Sequence, residues 1–300
     1  MNVILYIVIS DKTYSGGTLV SIDPKLFCQP SIEGFEGWHA PIYCFLVSHD
    51  HRHVIFDLGH RSLIEATTVI TPGRHVADVL DSDEGGLGIR SKDIEAVIWS
   101  HNHFDRISDI TTFPETTELV VGPGVLTSSW PGWLQVSDAR VLEIERHSRH
   151  VDEIDFDQDL LFGKFKAFDF FGDSSFYLLD APGHVTRHLC AAARCTADPP
   201  TFVFIGADAC HHPGIILSRG PLFPDHEGAV ETVHKIQELD ADDSVFVIFA
   251  YDLSLRSRIP TFPHMINNGR ERDLENLTRW LFRATIKKPF GGWNRRTRPR

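Results

Sequence analysis

Short apolar runs recur along the chain, each closed by glycine, proline, aspartate or a polar pair. They are rich in valine, isoleucine and phenylalanine, and in this setting they predict β-strands. Four fall early, over 3–9, 43–48, 53–59 and 96–100. Seven follow, over 118–122, 139–144, 164–171, 175–183, 188–194, 201–209 and 244–252. Helical spacing lies between some of them. "HRSLIEATTVI" predicts a helix that ends before Pro72. The stretch 226–240 has apolar positions near a 3.6-residue period, and 271–288 predicts a closing amphipathic helix. Ser91, in "SKDIEAV", is a candidate N-cap. Strands, interspersed helices and then strands again predict an α+β fold of two packed sheets with helices outside. The irregular stretch 123–138, carrying Trp130 and Trp133, predicts a loop over a binding site.

Composition narrows the class. Apolar residues make up 42% and charged ones 23%, as in a globular protein, and the formal net charge is -12. That charge argues against nucleic acid or an anionic membrane as partner. Only "WNRRTRPR" is basic, so about 289–300 reads as a solvated tail on a single domain spanning 1–300. No apolar run approaches the roughly 20 residues of a membrane span. "MNVILYIVIS" lacks a basic flank and reads as a first strand rather than a signal peptide. The five cysteines are odd in number and show no CxxC spacing, which suits free thiols in a reducing compartment, the cytoplasm.

The chemistry gathers where predicted strands end. In "VIWSHNHFDRISD", His101 and His103 lie just past an apolar run, and Asp105 follows two later. In an extended segment that spacing turns all three the same way. "FYLLDAPGHVTRH" delivers His184 after a strand and a Pro-Gly turn; "TFVFIGADACHH" delivers Asp208; "SVFVIFAYD" delivers Tyr251. A catalytic zinc usually takes three protein ligands and keeps an open position for water. His101, His103 and His184 supply three nitrogens, and Asp208 a fourth ligand or a group that orients the water.

As a set, HxHxD, then "GH", then an aspartate ending a strand, resembles the metallo-β-lactamase superfamily over nearly the whole chain. "VIFDLGHRS" resembles that family's early strand and turn, and "SFYLLDAPGH" its fungal branch. The resemblance implies an αββα sandwich with the metal site at one edge of two mixed sheets. It also implies a small-molecule substrate, a lactone or lactam, opened by attack of a metal-bound hydroxide; acyl-homoserine lactonases belong to the same superfamily. Two positions depart from the pattern. The family motif is HxHxDH, but position 106 is arginine, and a final strand-end histidine is replaced by Tyr251. An arginine cannot coordinate a cation. The expectation is therefore one Zn2+ per chain, with Fe or Mn as the harder alternatives. In that reading Arg106 pairs with Asp105 or Asp208, Asp105 handles the proton, and Tyr251 or Arg106 stabilises the oxyanion. The flanking histidines His211 and His212 offer unusual ligation for a second ion. Phe104 sits inside the motif at the site mouth, and His60 offers a supporting role. The alternatives are a thioesterase of the glyoxalase II type and a family member that binds metal without turnover.

Overall fold

The computed structural model describes residues 2–8, 19–22, 38–60, 74–82, 86–133, 135–137, 139–147, 149–156, 159–211, 226–252, 255 and 258–267. The helices predicted at 60–70 and 271–288, the basic tail, Cys28 and His212 lie outside or almost outside these residues.

Two six-stranded sheets face each other. The first contains β1 (Ile4–Val8), β4 (Cys44–His49), β5 (Arg52–Phe56), β6 (Ala96–Ile98), β7 (Glu118–Val121) and β8 (Val151–Glu153), in that order. β1, β4 and β5 pair antiparallel, and β5 through β8 run parallel. The second runs in the order β14 (Val245–Ile248), β13 (Pro200–Ile205), β12 (Leu189–Ala197), β11 (Phe176–Asp180), β10 (Phe165–Asp169) and β9 (Leu161–Phe162). It is antiparallel except for the parallel β13–β14 pair. β2 (Leu19–Ile22) and β3 (Trp38–Pro41) form a separate two-stranded sheet.

The strands read as continuous apolar runs because both faces of each sheet are covered. Inward positions such as Leu5, Ile7, Phe45, Val47, Val54 and Phe56 meet Phe176, Leu178, Leu189, Ala191 and Ile205 between the sheets. The alternate positions point outward: Val8, Leu46 and Ile55 pack with Val76, Ala77 and Leu80 of helix α1 (Val76–Asp81). Leu179, Cys190 and Phe204 pack with Ile236 and Leu239 of α4 (His226–Asp240). Each fully buried side chain of this size contributes about 1.5–3 kcal/mol, so the two-faced pattern is the main support of the sandwich.

Local departures have identifiable causes. The predicted strand at 139–144 is absent: Trp133 and Leu142 form an isolated bridge, and α3 (Ile144–His147) follows. The sheet position beside β7 is taken instead by β8, through the Leu119–Val151 register. The stretch 123–138 holds the short helix α2 (Val125–Ser129) rather than loop alone. Ser91 is inside a short 3-10 turn rather than capping it. Arg90 holds the cap position, and the Ser91 hydroxyl donates to Asp81 instead.

Candidate metal centre

The site forms where the C-terminal ends of β5, β6 and β11 meet the loop after β13. The segment carrying His101, His103 and Asp105 is a tight bend, not the extended run expected from the spacing: the Arg106 amide donates to the His103 carbonyl at 3.0 Å. The bend brings both imidazoles to one point and swings Asp105 to the far side of it, against Tyr251.

Three of the candidate ligands are held from behind. Ser100 donates through its amide and its hydroxyl to Asp57, at 2.8 and 2.9 Å, and its Oγ lies 3.0 Å from His101 Nδ1. That contact uses one ring nitrogen and leaves Nε2 facing the cluster, buried and without a hydrogen-bond partner. Asp57 sits at φ 63°, a left-handed conformation that aspartate tolerates better than most residues. His184 is fixed by the preceding turn. A side chain on Gly183 would come within 2.4 Å of the Ala229 backbone, so only glycine lets this turn close against α4. Thr232 of α4 donates to the Pro182 carbonyl at 2.7 Å. Asp208 follows Ala207, itself at φ 41°, and the Asp208 amide donates to His188 Nε2 at 3.1 Å.

The imidazoles of His101, His103 and His184 stand edge-on to one another, with centroids 4.5, 4.8 and 4.7 Å apart and interplanar angles of 81, 82 and 85°. His103 Nδ1 and His184 Nε2 are 2.9 Å apart. Asp208 Oδ2 lies 3.6 Å from His101 Nε2 and 3.5 Å from His184 Nε2. One ligand atom from each of these four residues falls within 4.8 Å of the others. Rings stacked for packing would not aim their nitrogens at one point. Three nitrogens and a carboxylate oxygen so placed, with a buried Nε2 lacking any other partner, fit a divalent metal ion.

The electrostatics agree with that fit. Burial, aided by the neighbouring rings and Arg106, holds His101 and His184 well below the ordinary imidazole value; burial, opposed by Asp105 and aided by Arg140 and Arg106, holds His103 down at about 4. These rings are therefore neutral, which is the state a metal ligand needs. On the carboxylate side, Arg106 is fully buried rather than solvent-facing. Its Nη2 bonds Asp208 and lies 3.2 Å from Asp105, its Nε is 3.8 Å from Asp57, and its guanidinium lies 4.8 Å over the Tyr251 ring. Tyr251 donates to Asp105 and lies 3.2 Å from Asp208 Oδ2. Burial pushes Asp57 and Asp208 up to about 7 despite Arg106. For Asp105, Arg106 and the Tyr251 hydroxyl outweigh burial and keep it low.

His101, His103, His184 and Asp208 thus come together as candidate ligands, with Asp105, Arg106 and Tyr251 beside them. His211 also joins, its ring stacked on Tyr251 at 5.4 Å and its Nε2 3.7 Å from Asp208. Asp57, Ser100 and His188 were not among the expected residues. Asp57 and His188 lie inside the quoted "VIFDLG" and "GHVTRH", but nothing in their spacing marks them. Trp130 is a packing residue, stacked on Trp99 at 6.2 Å, whereas Trp133 is 48% exposed. Phe262 packs edge-on against Tyr6 of β1.

A family model described as the metallo-beta-lactamase superfamily matches residues 38–191. The metallo-hydrolase mfmC of Annulohypoxylon moriforme is 51% identical over 89% of this chain and 84% of that protein. The gamma-lactamase FDB1 of Fusarium pseudograminearum is 33% identical over 85% of this chain and 77% of that protein. The cytochrome P450 monooxygenase mpaDE of Penicillium brevicompactum is 42% identical over 94% of this chain, which spans only 38% of that protein's length. Among solved structures, an N-acyl homoserine lactone hydrolase with N-hexanoyl-L-homoserine at its catalytic metal centre superposes with a TM-score of 0.67. It is 16% identical, over 89% of this chain and 100% of that one.

Proposed function

The chain belongs to the metallo-beta-lactamase superfamily and is a metal-dependent hydrolase. From that premise we propose that it opens a small cyclic ester or cyclic amide with one Zn2+ held by His101, His103, His184 and Asp208. The observation that carries this reading is the convergence of those four ligand atoms within 4.8 Å. The gamma-lactamase activity named for FDB1 supports the choice of a cyclic amide or ester. Among the described residues no helix is long and apolar enough to cross a membrane. Cys44, Cys190, Cys195 and Cys210 are buried thiols, which supports a reducing compartment such as the cytoplasm.

When bound, the ion polarises the substrate carbonyl and makes water a competent nucleophile near neutral pH. The chain's own residues do the rest. His101, His103 and His184 stay neutral and hold their nitrogens in place. Asp105, kept ionised by Arg106, is the group that takes a proton from the attacking water and returns it to the leaving oxygen or nitrogen. Tyr251 lies between Asp105 and Asp208, where its hydroxyl donates to Asp105 and stands 3.2 Å from Asp208, and so orients both carboxylates.

The test is elemental analysis of the purified chain followed by a panel of lactones and lactams. Bound zinc with turnover of a ring substrate supports the proposal. Cleavage of thioesters alone, or stoichiometric metal with no turnover of any ring, overturns it.

A further inference from the structure

Three carboxylates, Asp57, Asp105 and Asp208, are buried around one guanidinium, that of Arg106. Burying an uncompensated charge is expensive, so such a cluster must approach neutrality. The guanidinium of Arg106 cannot give up its proton, so it stands as a fixed positive charge against Asp105 and Asp208 and would repel a second cation placed beside it.

Geometry points the same way. The Arg106 Nη2 lies against Asp208 and Asp105 together, between the two carboxylates that face each other across the site. The ring of Tyr251 closes the other side at 4.8 Å. No atom of Arg106 reaches solvent. The guanidinium itself occupies the position beside both Asp105 and Asp208.

We propose that Arg106 is a resident cation of the centre: it balances Asp105 and Asp208, fixes Asp208 as a ligand, and limits the chain to one metal ion. It is a positioning residue, since its burial keeps it from substrate. This inference rests on the reading of the site as a centre for one metal ion and adds the physical reason that a second is excluded. The arrangement also explains why Asp105 is left to proton transfer. Its Oδ2 takes both the Arg106 Nη2 contact and the Tyr251 hydroxyl.

The experiment strips the full chain of metal and titrates it with Co2+. Bound ion per chain is read by elemental mass spectrometry after gel filtration, and coordination by the visible absorption of the ion. Wild type is expected to saturate at a single equivalent, with no further absorption change. Arg106→His removes the fixed charge and supplies a nitrogen beside Asp105 and Asp208, so it is expected to take up a second equivalent. Arg106→Lys keeps the charge and is expected to stay at one. Wild type saturating at two equivalents overturns the proposal. So does a folded Arg106→His chain that binds the first ion and never a second. If Arg106→His does not fold, the wild-type and Arg106→Lys titrations decide. Wild type that binds no ion sinks the metal centre and this inference together, whereas two ions in wild type sink the one-ion count and the role of Arg106 but leave the metal centre standing.

Discussion

The two edges of the sandwich each carry histidine and aspartate side chains that tie one sheet to the other, and they differ in how completely they are satisfied. At the edge away from the metal centre, His49 at the end of β4 meets Asp173 in the β10–β11 turn, at 2.9 Å. Asp173 also accepts from the Ser175 amide and hydroxyl, and the His49 ring packs on Phe171 at 4.7 Å. Donors and acceptors there are matched within the protein. At the other edge, His101 Nε2 has no hydrogen-bond partner, and three carboxylates share one guanidinium. A histidine and an aspartate at a strand end therefore have no single meaning. The pair that balances itself is a clasp between sheets; the cluster that does not is built to receive something.

That contrast can be broken by substitution, beginning with the largest effect. His101→Ala or His184→Ala removes a ligand. We expect loss of stoichiometric zinc and a fall in kcat/KM of at least about 10³-fold, from losing several kcal/mol of transition-state stabilisation. Retained zinc in both variants would show that the ligands are misassigned. Asp105→Asn is expected to lower kcat by about 10²–10⁴-fold with metal content unchanged, the range for a proton-transfer group; an unaltered rate removes Asp105 from the chemistry. Ser100→Ala breaks the link from Asp57 to His101. It should weaken metal affinity by about 10–100-fold, as read in competition with a chelator.

The opposite edge is expected to respond in stability and not in activity. Asp173→Asn should cost about 1 kcal/mol, or about 2 °C in Tm, with kcat and metal content unchanged. A loss of activity there would mean the clasp reaches the site. The pH dependence sharpens this. Burial alone would raise the Asp173 carboxyl, but the bonds from Ser175 and His49 outweigh it and hold the group well below the usual carboxylate range. A folded pKa below the unfolded one gives stability that is full above about pH 4 and is lost as pH falls towards the folded value. Wild type should therefore lose Tm more steeply than Asp173→Asn on acidification below about pH 4. Parallel curves would remove the carboxylate from the account.

Much of this was legible in the chain. The strands carrying the site were visible because their apolar runs are continuous, and they are continuous because helices cover both outer faces. The 226–240 helix was legible from its periodicity and is α4, His226–Asp240. Very short strands were not: β8, "VDE", and β9, "LF", pair along the edges of longer neighbouring strands. The run at 139–144 failed in the opposite sense: it has strand-forming residues, but the place beside β7 is taken by β8.

The sequence by itself determined the inventory of the centre: three histidines, the aspartates, and an arginine where another histidine was expected. Those identities sit at strand ends and turns, where local pattern is informative. Only the tertiary structure decided which way Arg106 points, that Asp57 and Ser100 stand behind His101, and that His188 holds the Asp208 loop. Those outcomes depend on groups far apart in the chain, such as positions 106 and 208, meeting in a volume closed to water. There, charge balance and hydrogen-bond completion select one arrangement, and no local spacing encodes it.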